Sequence, residues 1–273
     1  ANTVILKDDT YLDPVFILKN MKAVKSFIVW VTANFDLLKT KVKETTKHGV
    51  LTKITPYAIG RRVVLKFSYF THDAMGANMI NIATDQLCEF IASQTTIEKY
   101  LLRSNMSSEK KAAAVNLLTN YGKEVLVEAI LPRKIVTRYL NSTPESISGA
   151  WHSWALGSIH AGMLGINAQF ANGLAALFIA CGQDVAHIVN ASVGINMLEM
   201  TKEGELYAAL KLPNILVGTV GGGTALGTQR ECLEMIGCYG KGQSKKFAEI
   251  VAAVLLSGEI GICAGITSGE FQK

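Results

Sequence analysis

The alternation of apolar and polar positions divides the chain into short sheet-like runs and longer helical ones. Residues 3–7, Gly49 to Tyr57, Arg61 to Tyr69 and Leu101-Leu102 carry the first signature, and Ile59-Gly60 joins two of them as a hairpin. Val15, Leu18, Met21, Ala23, Phe27, Val31, Phe35 and Leu38 recur at roughly helical spacing. Asp13-Pro14 predicts where that helix starts, because a carboxylate caps and proline suits the first helical position. It should run to about Lys43 with lysines on its other face, and a second helix is expected from about Ala77 to Ser93. The order is strand, helix, strand, strand, helix, strand, the split βαβ or ferredoxin-like pattern, over residues 3–104. It is not a Rossmann unit, since no G-x-G-x-x-G follows the first strand.

Ser104 to Lys111 is polar and reads as a connector, and the pattern changes beyond it. Val125 to Leu131 is a strand, and Pro132 starts a helix through about Leu140. Residues 145–182, rich in glycine, alanine and small polar side chains, predict two packed helices. Val193 to Met200, Leu206 to Leu212 and Ile215 to Val220 read as strands, followed by helices over Ala225 to Ile236 and Ser244 to Ile262. Residues 105–273 are therefore expected to form a larger, helix-rich α+β domain, and the fold class of the whole is α+β. The apolar run Ile250 to Leu256 is interrupted by Ser257, Gly258 and Glu259, and it falls short of the ~20 residues a bilayer requires. With no signal peptide at the start, no membrane segment is expected.

Composition narrows the picture. Of 273 residues, 49% are hydrophobic and 18% charged, which excludes a disordered chain. The net charge of +5 comes without any basic block interleaved with aromatics, which excludes nucleic acid as the expected partner. A basic pocket for a phosphorylated small molecule and a solvated helix face both accommodate the lysines. Five cysteines without C-x-x-C spacing predict reduced, mostly buried thiols and a cytoplasmic protein. His152 and His160 could share a helix face, but two imidazoles without a third ligand do not make a zinc site, so no metal is expected.

Four stretches could carry chemistry. Thr71 to Met79 joins an apolar strand to a helix, where a turn with Gly76 can present backbone N–H groups to an anion, or Asp73 can simply cap. In Gly218 to Thr224 three consecutive glycines allow very close approach of a ligand or of another backbone. Glu109-Lys110-Lys111 is either a wet surface pair or one ammonium for a developing oxyanion and another for a carboxylate or phosphate. In Gly182-Gln183-Asp184 the acid either caps the next helix or pairs with a lysine; pairing with Lys110 would let each shift the other's pKa.

Asp73-Ala74-Met75-Gly76-Ala77-Asn78-Met79, Glu109-Lys110-Lys111, Gly182-Gln183-Asp184 and Gly218 to Thr224 stand in the order and context of hydroxymethylglutaryl-CoA reductase. The chain resembles that family over nearly its whole length. The Gly-Gly-Gly-Thr run is similar to the NADPH-using eukaryotic and archaeal class, while Gln229 to Leu233 and Thr267 to Phe271 look bacterial. The resemblance implies an oxidoreductase of the mevalonate pathway, on the route to isoprenoids. Such an enzyme reduces 3-hydroxy-3-methylglutaryl-CoA to mevalonate and coenzyme A with two hydrides from NADPH, preferred to NADH. It implies a ferredoxin-like cofactor domain using Thr46, Lys47 for the 2′-phosphate, Asp73, Met75, Gly76 and Asn78, together with Val220, Gly221, Gly222 and Thr224. Lys110 would stabilise the oxyanion, Asp184 would sit in its hydrogen-bond network, and Asn105, Lys111 and Asn172 would hold substrate polar groups. A homodimer or higher homo-oligomer is implied, because the family's sites form across a dimer interface.

The chain also departs from the family. Glu109-Lys110-Lys111-Ala112 stands where the family has Asp-Lys-Lys-Pro, which keeps the lysine and changes the loop's rigidity. His152 stands near a position where some relatives use lysine for a substrate carboxylate. The family's catalytic glutamate, in a Glu-Asn-Val-Ile-Gly motif, and its histidine, expected just beyond the match to Gly269-Glu270-Phe271, do not occur among the 273 residues. The expectation is a catalytic-region fragment. The alternative is a catalytically silent cofactor- and CoA-binding fragment or assembly subunit.

Overall fold

A computed structural model describes residues 1–272, and in it the chain divides into two units, Asp9–Ser108 and Ala1–Asp8 with Glu109–Lys273. Residues 3–8 thus go with the larger unit and residues 105–108 with the smaller.

The smaller unit begins in strand β1 (Asn2–Leu12), whose Thr10–Leu12 stretch pairs antiparallel with β4, and continues as β2 (Val15–Ile17) along the same neighbour. Asp13-Pro14 is therefore a kink in a strand and not a helix start. Proline has no N–H for the ladder, the Pro14 carbonyl still accepts from Leu65 N at 3.0 Å, and Asp13 is 2% exposed. The helix begins later, at α1 (Met21–Ala33), where the Asn20 side chain accepts from Ala23 N at 3.0 Å. Asn34 ends it by donating to the Trp30 carbonyl and starts α2 (Phe35–Thr45), so the expected single helix is two. β3 (Val50–Ile59) and β4 (Arg62–Phe70) form the expected hairpin around Gly60 at φ 59. Helix α3 (Ala77–Gln94) and β5 (Lys99–Leu101) close the unit. The strands run β5-β2-β4-β3, all antiparallel. Val24, Phe27 and Val31 of α1, Leu38 and Val42 of α2, and Ile80, Leu87 and Ile91 of α3 bury one core with Phe16, Leu51, Leu65 and Phe67 of the strands.

In the larger unit, the first residues of β1 lie beside β6 (Gly122–Leu131). Lys7 pairs with Glu124 at 2.9 Å and Asp8 with Lys123 at 3.1 Å. Then come α4 (Arg133–Tyr139), α5 (Pro144–His160), α6 (Phe170–Ala180), the short α7 (Ile188–Ala191), β7 (Ile195–Met200) and β8 (Leu206–Ile215). The strand order is β1-β6-β8-β7. The strand expected at Ile215 to Val220 is absent: β8 ends at Ile215, and an irregular segment leads to α8 (Gly227–Met235).

Helix α9 (Ser244–Thr267) is the axis of this unit's core, with α5, α6, β6 and β8 packed on it. The expected helix from Ser244 runs on past Ile262 to Thr267, through the polar interruption at Ser257-Gly258-Glu259. Gly258 leaves room for the Gln169 side chain, which donates to the Leu255 carbonyl at 3.1 Å. Glu259 is fully buried and accepts from the N–H groups of Ala168 (3.0 Å) and Gln169 (2.7 Å) and from the Asn196 amide. By length and composition alone α9 could cross a membrane; here it lies against the sheet with its carboxylate satisfied.

Candidate active site

Lys110 and Asp184 meet at 2.7 Å. The lysine sits in the irregular connector with its backbone in the left-handed region, φ 58, which a side chain with a Cβ adopts only when held there. The hold is visible: Lys110 N–H donates to Asn190 Oδ1 at 3.2 Å. Asp184 follows α6 after the short Cys181-Gly182-Gln183 loop. One of its oxygens accepts from Ala186 N at 3.0 Å, capping a 3-10 turn, and the other takes the Lys110 ammonium. The two readings of this acid, cap and lysine partner, are thus true together. Burial pushes the Asp184 carboxyl up, but the Lys110 hydrogen bond, the Ala186 N–H and the charges of His187 and Lys110 outweigh it, and its pKa lies below the ordinary value. At neutral pH the pair is an ammonium held by a carboxylate, with 41% and 32% of the two side chains exposed.

The loop before Asp184 locks the triple-glycine turn. Gln183, buried, donates to the carbonyls of Gly218 (3.0 Å) and Cys181 (2.7 Å) and accepts from Gly218 N at 2.8 Å. Gly182, at φ 65, has its α-carbon packed against Gly223; an added Cβ would stand 2.6 Å from the Gly223 carbonyl carbon. Gly221 (φ 74) and Gly222 (φ 54) are exposed, and Thr224 Oγ1 closes the turn on the Gly221 carbonyl at 2.6 Å. Lys110, Asp184 and the Gly218 to Thr224 turn are therefore one cluster, joined by Gln183, a residue to which the sequence assigned no separate role.

On the smaller unit, Gly76 is the N-cap of α3 at φ 83 and provides no side-chain cap. Asp73 is therefore not the cap. A Cβ on Gly76 would stand 2.6 Å from Thr71 Cγ2, whose hydroxyl donates to the Ala74 carbonyl at 2.8 Å. The first N–H groups of an 18-residue helix are thus uncapped, which suits an anionic phosphate. Met75 is half-buried and Asn78 exposed beside them. The Thr46-Lys47 turn lies against the same helix: a Cβ on Gly49 would touch Met79 Cε at 3.1 Å and Thr46 Cγ2 at 3.3 Å. Lys47 is exposed. The residues fit a phosphorylated dinucleotide.

Other expected residues stand apart. Lys111 is exposed and donates to the Glu109 carbonyl at 3.3 Å. Asn105 is exposed at φ 64 on the smaller unit. Asn172 is exposed in the first turn of α6, about 12 Å of helix before its last residue Ala180. His152 is exposed, its Nδ1 2.8 Å from the Ser148 carbonyl. Among the described residues no group of three or more His, Cys, Asp or Glu side chains is placed to hold a metal. All five cysteines are free thiols. A mostly apolar cleft of about 440 Å³, lined by Val4, Leu126, Met197, Tyr207 and Ala209 among others, contains none of the expected site residues.

Comparison with known proteins agrees with the motif order. The model of the family described as hydroxymethylglutaryl-coenzyme A reductase matches residues 1–273. The 3-hydroxy-3-methylglutaryl-coenzyme A reductase of Pyrococcus horikoshii is 39% identical over 99% of this chain and 68% of its own length. That of Methanocaldococcus jannaschii is 41% identical over 89% of this chain and 62% of its own. The chain thus spans about two thirds of the length of these relatives. The 3-hydroxy-3-methylglutaryl-coenzyme A reductase structure of Streptococcus pneumoniae superimposes with a TM-score of 0.76 at 16% identity, covering 97% of this chain and 72% of that one. A class II reductase structure from the same organism, bound to NADPH in open conformations, superimposes equally well.

Proposed function

The chain belongs to the hydroxymethylglutaryl-coenzyme A reductase family, and from that premise we propose that it carries the reductive chemistry of 3-hydroxy-3-methylglutaryl-CoA, giving mevalonate and coenzyme A. The observation that carries the reading is the 2.7 Å Lys110–Asp184 pair beside the glycine turn. When bound, NADPH supplies two successive hydrides. The thioester carbonyl becomes an oxyanion as its carbon accepts the first. Lys110 Nζ donates to that oxygen and carries the countercharge where charge develops. Asp184, its carboxyl held below the ordinary value and so ionised at neutral pH, keeps the Lys110 ammonium aimed. Collapse of the tetrahedral carbon expels the coenzyme A thiolate. The aldehyde left behind accepts the second hydride, again with its oxygen toward Lys110.

On the smaller unit, Thr46, Lys47, Asp73, Met75, Gly76 and Asn78 would hold the dinucleotide, the free helix amides facing phosphate and Lys47 facing the 2′-phosphate. On the larger unit, Val220, Gly221, Gly222 and Thr224 are proposed as further cofactor-binding positions, with the backbone of Gly221 and Gly222 exposed and Thr224 buried beneath the turn. Asn105 and Lys111 would take substrate polar groups. Asn172, exposed in the first turn of α6, would take a substrate polar group as well, in a homo-oligomer. The same proposal places the enzyme in the cytoplasm.

The test is NADPH oxidation driven by 3-hydroxy-3-methylglutaryl-CoA. Lys110→Ala should lower turnover by about 10²-fold or more while circular dichroism stays unchanged. Parent-level turnover in Lys110→Ala, or a parent chain that consumes no NADPH with this thioester, overturns the reading.

A further inference from the structure

Lys110 does not hold its own conformation. Its φ of 58 is foreign to a lysine, and the residues on either side, Glu109 and Lys111, belong to no helix or strand. The backbone is fixed from 80 residues away by a single acceptor, Asn190 Oδ1, at 3.2 Å from Lys110 N. The same oxygen lies 3.0 Å from His187 Nδ1. An amide oxygen only accepts, so the imidazole proton sits on Nδ1 and both lone pairs of Asn190 Oδ1 are used. Asn190 Nδ2 completes the arrangement at 3.5 Å from the Asn214 carbonyl, which fixes which end of the amide points at Lys110.

His187 is in turn immobilised. It is fully buried, stacked on Tyr121 with ring centroids 5.7 Å apart and planes at 21°. It stands on the 3-10 turn that Asp184 itself caps. Asp184 thus holds the lysine by its ammonium, and the short segment that Asp184 starts holds the lysine by its main chain. Two contacts on one side chain and its backbone fix both the origin and the tip of the reactive group.

We propose that Asn190, oriented by His187, is the positioning residue for Lys110. Asn190 does not touch the reacting atoms. It sets the backbone conformation from which the ammonium reaches both Asp184 and a substrate oxygen. The inference rests on the reductase reading for its catalytic consequence and on the structure alone for the geometry, so it is tested at both levels.

In the parent chain, nitrogen-detected NMR of the His187 ring should show the proton on Nδ1. A proton on Nε2 overturns the arrangement without any variant. Asn190→Leu keeps the volume and removes the acceptor; His187→Phe keeps the ring and removes the donor; His187→Asn keeps an N–H near the Nδ1 position. In Asn190→Leu and His187→Phe, kcat with 3-hydroxy-3-methylglutaryl-CoA should fall about 10- to 100-fold. The dissociation constant for NADPH should not change, and His187→Asn should recover most of the rate. Trace acetylation with acetic anhydride, read by mass spectrometry at Lys110, should rise several-fold in the two disruptive variants and return toward the parent level in His187→Asn. Parent-like kcat and labelling in Asn190→Leu and His187→Phe overturn the proposal. A parent chain without turnover defeats the reductase reading alone, while labelling and ring NMR still decide the positioning role.

Discussion

Single side chains carry the discriminating chemistry. Lys47 is an exposed cation on a turn packed against the uncapped end of α3. A 2′-phosphate there would gain a charge partner that NADH lacks. Lys47→Ala is expected to raise KM for NADPH about 10-fold with KM for NADH unchanged, a ratio consistent with loss of one charged hydrogen bond; steady-state kinetics with both cofactors checks it, and an unchanged NADPH value sinks the assignment. Asp13 makes a different prediction. Burial raises its carboxyl to about 7, an effect only partly opposed by the Lys66 charge, and its Oδ1 has no partner. The folded chain therefore prefers Asp13 protonated. Its contribution is complete below the ordinary carboxylate pKa, declines as pH rises above that value, and is lost as pH passes about 7. At about 1.4 kcal/mol per pKa unit, the cumulative loss is a few kcal/mol. Asp13→Asn should remove this dependence and raise Tm relative to the parent by several degrees in mildly alkaline buffer, with the two curves converging in acid.

At the scale of elements, the site is a meeting of two loops whose backbones touch. Gly182 and Gly223 pack with no room for a Cβ, and Gln183 bonds across to Gly218 twice. Gly182→Ala should displace the Gly218 to Thr224 turn, both by the clash and by the strain of a methyl at φ 65. Turnover should fall about 10²-fold, accompanied by roughly 2 kcal/mol of destabilisation in urea titration. A variant with parent kinetics would show that the turn does not need this contact. The glycines were legible in the sequence because three in a row have few structural uses, and the lysine and aspartate only through the order of the four motifs, since alone they read as a surface pair and a cap. Gln183 and Asn190 were not, since their roles depend on contacts made across 35 and 80 residues, and His187 matters only through Asn190. Two element readings failed. Asp13-Pro14 is as good at kinking a strand as at starting a helix, and the apolar run after Ile215 forms no strand because β8 ends there. The polar interruption at Gly258 and Glu259 is absorbed within α9 because each meets a complementary group on the segment that starts α6.

On the scale of the whole molecule, the smaller unit is an insertion. Strand β1 leaves the larger unit at Asp8, and the chain returns to it at Glu109. The ends of the insertion are tied to each other. Tyr11 Oη and Ser108 Oγ share a hydrogen bond of 2.7 Å, and Ser104 N donates to the Asp13 carbonyl at 2.9 Å. This arrangement sets an order of events in folding. Pairing β1 with β6 across roughly 110 intervening unstructured residues would require about 4 kcal/mol of loop-closure entropy. Once the insertion has folded, that loop is already closed, and the two ends of the larger unit behave as near neighbours along the chain. Pulsed hydrogen exchange during refolding should therefore protect amides of β4 and α3 before those of β6, and simultaneous or reversed protection would exclude this order. A chain assembled this way completes the smaller unit first, and only then gathers the larger unit, whose connector carries Lys110.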